Sequence, residues 1–370
     1  MKIFHVSDTH LGYSAYARIE QERGLNQREA DFYDSFSRFV EISLKERPDI
    51  ILHSGDLFDS VRPSNRAISF ALKEIKKLAD AGINFVAISG NHETPRLRET
   101  GSVFRILEHL PNCDFAYEDE MKRIDRDGLE ILAVPHTSEE RFQRSLRAIE
   151  ELKREKPRLI LFHAGVLGLG VFRMNEINEL VLNGSDIDPE AKYVALGHYH
   201  NHVEVTGNAC YSGSTERLSI SEAGSEKGFI SIDLTAKKRK FISLPTRRMI
   251  DIPPLDLKEL GGADATKEIS RLLDSTGIDG AIVRMTMTGL RKEARKDIDM
   301  NHIRRIAQRA LNLELRFTGK DEDQVIQSSS PHIDKLEEEF TRYIREAQLG
   351  GLDRKRIEKE AMALFAEKEE

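Results

Sequence analysis

One stretch of the chain reads Ile50-Ile51-Leu52-His53-Ser54-Gly55-Asp56-Leu57-Phe58-Asp59, an apolar run that ends in a Gly-Asp pair. This pattern predicts a buried strand that delivers the carboxylate of Asp56 into the loop at its carboxyl end. In open α/β sheets, ligands bind outside the carboxyl ends of the strands. Asp56 is therefore the first candidate functional residue, and its carboxylate could bridge two metal ions.

Four further strand ends carry residues that commonly bind metals. They are Asp8-Thr9-His10, Gly90-Asn91-His92, His163 after Leu159–Phe162, and Gly197-His198-Tyr199-His200 after Tyr193–Leu196. With Asp56 these ends supply seven potential ligands: Asp8, His10, Asp56, Asn91, His163, His198 and His200. Any one of these motifs alone is better explained as a turn or a structural histidine, but five in succession are not.

The ligand types indicate the metal and the number of ions. Mixed carboxylate, imidazole and amide ligands suit Mn²⁺, Fe²⁺ or Zn²⁺ rather than Ca²⁺. One tetrahedral zinc ion needs three or four ligands, whereas seven with a bridging carboxylate suffice for two ions. Two such ions can clamp the attacking and leaving oxygens of a displaced phosphoryl group and activate water near neutral pH.

Composition narrows the class of protein. The 370 residues carry 32% charged residues and a net charge of −7, so charge alone does not indicate a nucleic-acid partner. The two cysteines, Cys113 and Cys210, form no CxxC pair, which argues against a disulfide framework and fits a reducing compartment. Met1 leads directly into a strand-like run, and no apolar run reaches the ~20 residues of a membrane span. We expect a cytoplasmic protein without a membrane partner.

Three parts follow one another along the chain. Residues 1–245 alternate apolar strands with amphipathic helices and close with a predicted hairpin. Pro253-Pro254 marks a linker to residues 250–325, in which helices and strands alternate as in a small α+β domain. After Pro331, residues 331–370 form two predicted amphipathic helices separated by Gly350-Gly351.

The ordered blocks D-x-H, G-D, G-N-H, H and G-H-x-H, from Asp8 to His200, resemble the calcineurin-like metallophosphoesterase superfamily. The resemblance implies an α/β fold, a four-layer α-β-β-α sandwich, with two metal sites that share Asp56. One site would be completed by Asp8, His10 and His200, and the other by Asn91, His163 and His198. His92 would face the scissile phosphate, stabilising charge or protonating the leaving oxygen.

Asp59 lies three residues after Asp56, and we expect it to orient or charge His92; the alternative is a solvated carboxylate in a turn. In many archaeal relatives, which belong to the narrower nuclease family described next, a histidine stands at the position of Asp59; this difference bears on the partner of His92 and not on the metal site. His5, His53, His136 and His202 are expected to be structural or to support the ligands.

A narrower resemblance rests on Asp8–Tyr13, Gly55–Asp59 with Arg62-Pro63-Ser64, Gly197-His198-Tyr199-His200, and Tyr211–Ser214. These residues are similar to those of the Mre-eleven and SbcD family of DNA double-strand-break repair nucleases. The family implies a homodimeric nuclease with two Mn²⁺ ions per chain, 3′-to-5′ exonuclease activity on double-stranded DNA and endonuclease activity on single strands. Residues 250–325 would cap the DNA, and residues 331–370 would dock on the coiled coil of a Rad-fifty-type ABC ATPase.

Several alternatives remain open from sequence. The terminal helices could instead pack on the second domain. The apolar stripes around Ile68–Leu78 and Val103–Leu110 suit either a dimer interface or coverage of a sheet. Arg62 and Arg96 are candidate phosphate contacts or solvated side chains. The chain as a whole could be a DNA-end-tethering scaffold in which hydrolysis is secondary, or a phosphodiesterase for small substrates.

Overall fold

A computed structural model describes residues 1–95, 101–168, 179–318, 324–327 and 356 of the chain. The predicted helix pair at 331–370 therefore lies outside the described residues, apart from Arg356, as does Arg96. Within the described part, no helix is both long and apolar enough to cross a membrane.

Short strands and four α-helices build the described part of the first 245 residues. The strands are β1 (Lys2–Val6), β2 (Ile19–Glu20), β3 (Leu25–Asn26), β4 (Ile50–His53), β5 (Asn84–Ile88), β6 (Cys113–Ala116), β7 (Lys122–Arg126), β8 (Leu129–Val134), β9 (Arg158–His163), β10 (Gly165–Val166), β11 (Val181–Leu182), β12 (Tyr193–Gly197), β13 (Val203–Glu204), β14 (Ala209–Tyr211), β15 (Gly228–Asp233) and β16 (Lys238–Ser243). The helices are α1 (Gln27–Glu46), α2 (Asn65–Asp80), α3 (Phe104–Leu107) and α4 (Glu139–Glu151).

Most of these strands form two six-stranded sheets. The first has the order β16-β15-β1-β4-β5-β6, and the second the order β13-β14-β12-β9-β8-β7. In each sheet the central strands run parallel, while hairpin partners are antiparallel at the edges. The predicted closing hairpin is confirmed as β15-β16, and β15 pairs antiparallel with β1.

The two sheets pack face to face, with helices on both outer sides. Ile50 and Leu52 of β4 meet Leu159 and Leu161 of β9 in the core between the sheets. Residues that alternate with them, such as Ile51, face the core under α1 and α2. Helix α4 covers the second sheet in the same way. Burial on both faces explains the continuous apolar runs, and the predicted α-β-β-α sandwich is confirmed.

The helix predicted at Ser102–Leu110 is shorter than expected. Helix α3 spans only Phe104–Leu107, and the amide of Leu110 then bonds to the carbonyl of Leu107 in a tighter turn at 3.0 Å. The turn leads to Asn112, which has a positive φ of 57°. The apolar stripe of α2, including Ala71, Ile75 and Leu78, lies in the core against the first sheet.

In the second domain, the described residues form one four-stranded sheet and three helices. Its elements are β17 (Met249–Asp256), α5 (Gly262–Thr276), β18 (Ile282–Thr288), α6 (Lys292–Lys296), α7 (Met300–Ala307), β19 (Asn312–Thr318) and β20 (Gln324–Gln327). Pro253-Pro254 lies inside β17, where its register with β18 shifts between Ile252 and Leu255, rather than in a linker. Strand β17 is at the sheet edge, where prolines are tolerated.

Candidate metal centre

The carboxyl ends of strands from both sheets meet at one edge of the sandwich, where the seven predicted ligands come together. Asp8, His10 and His200 form one compact group, and Asp8, Asp56 and His163 form another. The amide oxygen of Asn91 is 2.9 Å from Nε2 of His163 and 3.3 Å from Nδ1 of His198. Strands distant in sequence thus bring all seven side chains to one place.

Asp56 lies between the two halves of this cluster. Its Oδ2 is 3.3 Å from Nε2 of His163 and 3.8 Å from Nε2 of His10. On the other side of His10, Nε2 lies 3.3 Å from Nε2 of His200. A carboxylate between two groups of imidazoles is the arrangement expected of a ligand shared by two cations.

The backbone around the ligands is held in an unusual conformation. Four of the predicted ligands, Asp8, His10, Asp56 and His198, have positive φ angles of 52°, 40°, 55° and 98°. Such conformations cost roughly 1–3 kcal/mol each for residues other than glycine and persist only where the surrounding structure enforces them. Their concentration on the ligands indicates that the fold trades stability for the geometry of this centre.

Close backbone approach also requires glycine next to the ligands. A Cβ atom on Gly90 would overlap the carboxylate of Asp56 and lie 2.6 Å from its amide nitrogen. A Cβ on Gly197 would collide with the carbonyl oxygen of Ser54, which belongs to the other sheet. The Gly-Asn and Gly-His pairs of the sequence motifs therefore have a steric cause.

Three of the four predicted histidine ligands, His163, His198 and His200, have an acceptor beside the ring nitrogen that faces away from the centre. Nδ1 of His163 donates to the carbonyl oxygen of Ser54 at 2.9 Å. Nε2 of His198 is 2.6 Å from Glu179, and Nδ1 of His200 is 3.3 Å from Glu222. Such partners fix the tautomer and leave the other nitrogen as an acceptor for a metal.

His10 is held differently. Its Nδ1 lies 3.2 Å from Oδ1 of Asp59 but lacks hydrogen-bonding geometry with it. Its Nε2 faces that of His200, and two lone pairs facing each other need a proton or a cation between them. The nitrogen and oxygen donors therefore fit a borderline divalent ion such as Mn²⁺, Fe²⁺ or Zn²⁺.

Electrostatics couple Asp56 and His163 strongly. Burial alone would raise the pKa of Asp56, but His163 and the neighbouring imidazoles bring that pKa well below its usual value. Burial would likewise lower the pKa of His163, but Asp56 raises it to about 9, so a metal ion that binds Nε2 at neutral pH must displace a proton. The side chain of Asp56 is therefore ionised at neutral pH, as a carboxylate that binds a metal must be.

His92 lies beside the cluster with its side chain 34% exposed. Its Nδ1 donates to the backbone carbonyl of Asp59 at 2.9 Å, while the carboxylate of Asp59 is 3.8 Å from this nitrogen. The same carboxylate is closer to His10 than to His92. Asp59 therefore contacts His92 through its main chain, and its side chain contacts the rim of the metal cluster.

Of the two arginines predicted to contact DNA, Arg62 is exposed in the loop between Asp59 and α2. Arg96 lies outside the described residues. Among the other histidines, His5 is fully buried between Tyr193 and Ser54, at 2.8 Å from each. His53 contacts Thr9 at 3.0 Å, and His202 contacts the carbonyl oxygen of Tyr211 at 2.9 Å.

Sequence reasoning missed three glutamates around the centre: Glu93, Glu179 and Glu222. Buried Glu93 accepts from the amides of Phe58 and Gly90 at 2.6 and 2.9 Å, which ties two ligand loops together. Burial, helped by the charge of Asp56, raises the pKa of Glu93 to about 8. Only the adjacency of Glu93 to the Gly-Asn-His block could have suggested its role. No local pattern marks Glu179 or Glu222.

Comparison with known proteins gives a consistent picture. A family model described as calcineurin-like phosphoesterase matches residues 1–202. A DNA double-strand break repair protein Mre11 from Saccharolobus solfataricus is 33% identical over 207 residues, which are 56% of this chain and 51% of that protein. A protein of the same name from Methanocaldococcus jannaschii is 27% identical over 302 residues, 77% of each chain. The match thus spans about half the length of the first relative.

Proposed function

The chain belongs to the calcineurin-like phosphoesterase family, and from that premise we propose that it is a Mn²⁺-dependent DNA nuclease. It would shorten double-stranded ends from 3′ to 5′ and cut single strands during double-strand break repair. The observation that carries the proposal is the position of Asp56 between His10 and His163, with ligands for two ions around it. The names of the relatives support DNA as the substrate.

The residues suggest which side chains hold each ion. Asp8, His10 and His200 would hold one, and Asn91, His163 and His198 the other, with Asp56 shared. The two ions would supply a nucleophile from water and charge opposite the phosphoryl oxygens. The protein contributes three imidazoles whose tautomers are fixed by acceptors, a carboxylate that stays ionised, and a backbone with positive φ angles at four of the ligands.

His92 is the proposed catalytic residue outside the ligand set. With Nδ1–H donated to the carbonyl of Asp59 at 2.9 Å, its Nε2 can carry a proton to the leaving oxygen or stabilise its charge. We assign Asp59 a positioning role, through its carbonyl toward His92 and its carboxylate toward His10. Arg62, exposed near this edge, and Arg96 remain proposed phosphate contacts.

The other parts of the chain suit this function. We propose that residues 250–325 cap the DNA and that residues 331–370 dock on the coiled coil of a Rad-fifty-type ATPase. A homodimer is also proposed. Because the stripe of α2 is used in the core, the exposed side chain of Ile106 (49% exposed) is the better candidate for that interface.

The test is cleavage of an end-labelled DNA duplex with Mn²⁺, using the wild type, Asp56→Ala, His92→Ser and the exposed control His109→Ser. We expect a 3′-to-5′ ladder from the wild type and the control and none from the other two. His92→Ser should still bind Mn²⁺, because His92 is not a proposed ligand. A wild type that is loaded with Mn²⁺ but leaves DNA intact would refute the nuclease. If it then hydrolysed a small diester, the site would belong to a small-substrate phosphodiesterase, and otherwise to a tethering scaffold.

A further inference from the structure

Glu222 connects the metal cluster to the second domain. It ends a 3₁₀ turn, Ile220–Glu222, and its side chain is 9% exposed. Its Oε1 lies 3.3 Å from Nδ1 of His200, and its Oε2 lies 2.6 Å from Nζ of Lys227. Lys227 is itself buried and donates to the carbonyl oxygen of His200 at 2.7 Å. The pair thus holds both the ring and the main chain of His200.

The opposite side of the same turn supports the second domain. Ile220 and Ala223 pack against Met249, Ile282 and Leu311, which belong to or adjoin the strands of that domain. The turn therefore makes two contacts: Glu222 contacts the imidazole of His200 in the proposed metal centre, and Ile220 packs against apolar side chains of the second domain.

Arg217 ties this turn to the segment that joins the domains. Its Nε donates to the carbonyl oxygen of Glu222 at 3.2 Å, and its Nη1 donates to Thr246 at 2.6 Å and to the carbonyl oxygen of Arg247 at 3.0 Å. A displacement of the joining segment must therefore either break these bonds or move the turn. Since Glu222 is the last residue of the turn, a movement of the turn would displace the carboxylate that holds the ring of His200.

We propose that Glu222 is a positioning residue for His200, and that the seating of the second domain on the Ile220–Glu222 turn sets the affinity of the His10–His200 subsite for its divalent ion. The proposal rests on the metal centre of the proposed function but not on DNA as the substrate. Carboxylates that hold the outer nitrogen of a ligating histidine are worth roughly 10–100-fold in metal affinity. Glu179 holds His198 in the same manner, by an ion pair that lies within the first domain.

The first experiment measures Mn²⁺ binding by calorimetry for Glu222→Ala, Glu222→Gln and the exposed neighbour Glu226→Ala. We expect one of two Mn²⁺ ions to bind roughly 10–100-fold more weakly to Glu222→Ala. Glu222→Gln should recover most of the affinity because its amide oxygen can still accept from Nδ1 of His200, and Glu226→Ala should match the wild type. Glu222→Ala leaves the buried Lys227 without its carboxylate partner. If that variant fails to fold, Glu222→Ala with Lys227→Met replaces it, and Lys227→Met alone measures the loss that comes from the bond to the carbonyl oxygen of His200.

The second experiment tests the coupling with Ile220→Ala, using Ile19→Ala as the matched control because Ile19 is 62% exposed. Ile220→Ala should lower the affinity for the same Mn²⁺ ion several-fold. In the Glu222→Ala background it should cause no further loss of affinity, because its effect passes through Glu222. Wild-type affinity in Glu222→Ala would overturn the positioning role, and additive losses in the double variant would overturn the coupling. A wild type that binds two Mn²⁺ ions without cutting DNA would refute the nuclease and leave this inference intact.

Discussion

Replacement of Gly90 by alanine is the most direct test of how the fold builds the metal centre. The new Cβ would overlap Oδ1 of Asp56 and lie 2.6 Å from the amide nitrogen of the same residue. The carboxylate of Asp56 cannot move aside without loss, because the residue is 1% exposed and its Oδ1 already accepts a hydrogen bond from the amide of His92 at 3.1 Å. Either the carboxylate rotates away from His163, or the loops after β4 and β5 separate.

Both responses have an estimable cost. Overpacking of a filled site costs roughly 1–3 kcal/mol of stability. Separation of the loops would also stretch the bonds by which Glu93 joins Phe58 and Gly90. Loss of correct carboxylate orientation should weaken Mn²⁺ binding by at least the roughly 10–100-fold typical of misplaced supporting groups. Because Asp56 would serve both ions, both should be affected.

The assay combines urea unfolding with Mn²⁺ calorimetry on Gly90→Ala and on the control Gly207→Ala. Gly207 has open space where its Cβ would be, so its variant should lie within about 0.5 kcal/mol of the wild type and bind Mn²⁺ normally. If Gly90→Ala bound two Mn²⁺ ions with wild-type affinity, the steric argument and the assignment of Asp56 as the shared ligand would both be wrong.

Three other predictions follow from particular contacts. Burial lowers the pKa of His5 to about 3, below its unfolded value of 6.5. The unfolded chain therefore binds the proton more readily, and the free energy of unfolding should fall as pH drops from 6.5 toward 3, by up to about 1.4 kcal/mol per pH unit from this group. His5→Gln should flatten that slope in urea titrations, and an unchanged slope would contradict the assignment. The ion pair between Arg158 and Glu130 is 2.7 Å long with both side chains 1% exposed, so Glu130→Ala should cost about 3–5 kcal/mol whereas the exposed Lys76→Ala should cost under about 1 kcal/mol; equal costs in urea unfolding would refute this. Mn²⁺ at 100 times its dissociation constant should stabilise the wild type in thermal unfolding by about 2.7 kcal/mol for each ion bound, and a full shift in Asp56→Ala would exclude Asp56 as a ligand.

The sequence allowed prediction of those features that depend on local pattern. Apolar runs ending in Gly-Asp or Gly-Asn located β4 and β5 and the side chains at their ends. Long-range pairing was not predictable in this way: nothing in β15 itself indicates that it pairs antiparallel with β1. The prolines of β17 suggested a linker because their usual effect is to end a strand, and the edge position that tolerates them is a property of the whole sheet.

The supporting residues of the centre escaped prediction for a related reason. A buried carboxylate such as Glu222 has the same local sequence signature as an exposed one such as Glu226. What distinguishes them is the partner, and Glu222 finds Lys227 and His200 only once the chain has folded.

The geometry of the metal centre depends on the contact between the two sheets. His163 belongs to the second sheet and donates to the carbonyl of Ser54, which follows a strand of the first. Gly197 approaches the same carbonyl so closely that a Cβ cannot fit. The distance between the sheets at this edge is therefore fixed by the same atoms that orient the imidazole. A substitution that moved the sheets apart would displace the ring of His163. A variant that loosens the packing between the sheets at this edge should consequently bind the metal more weakly even though every ligand is intact.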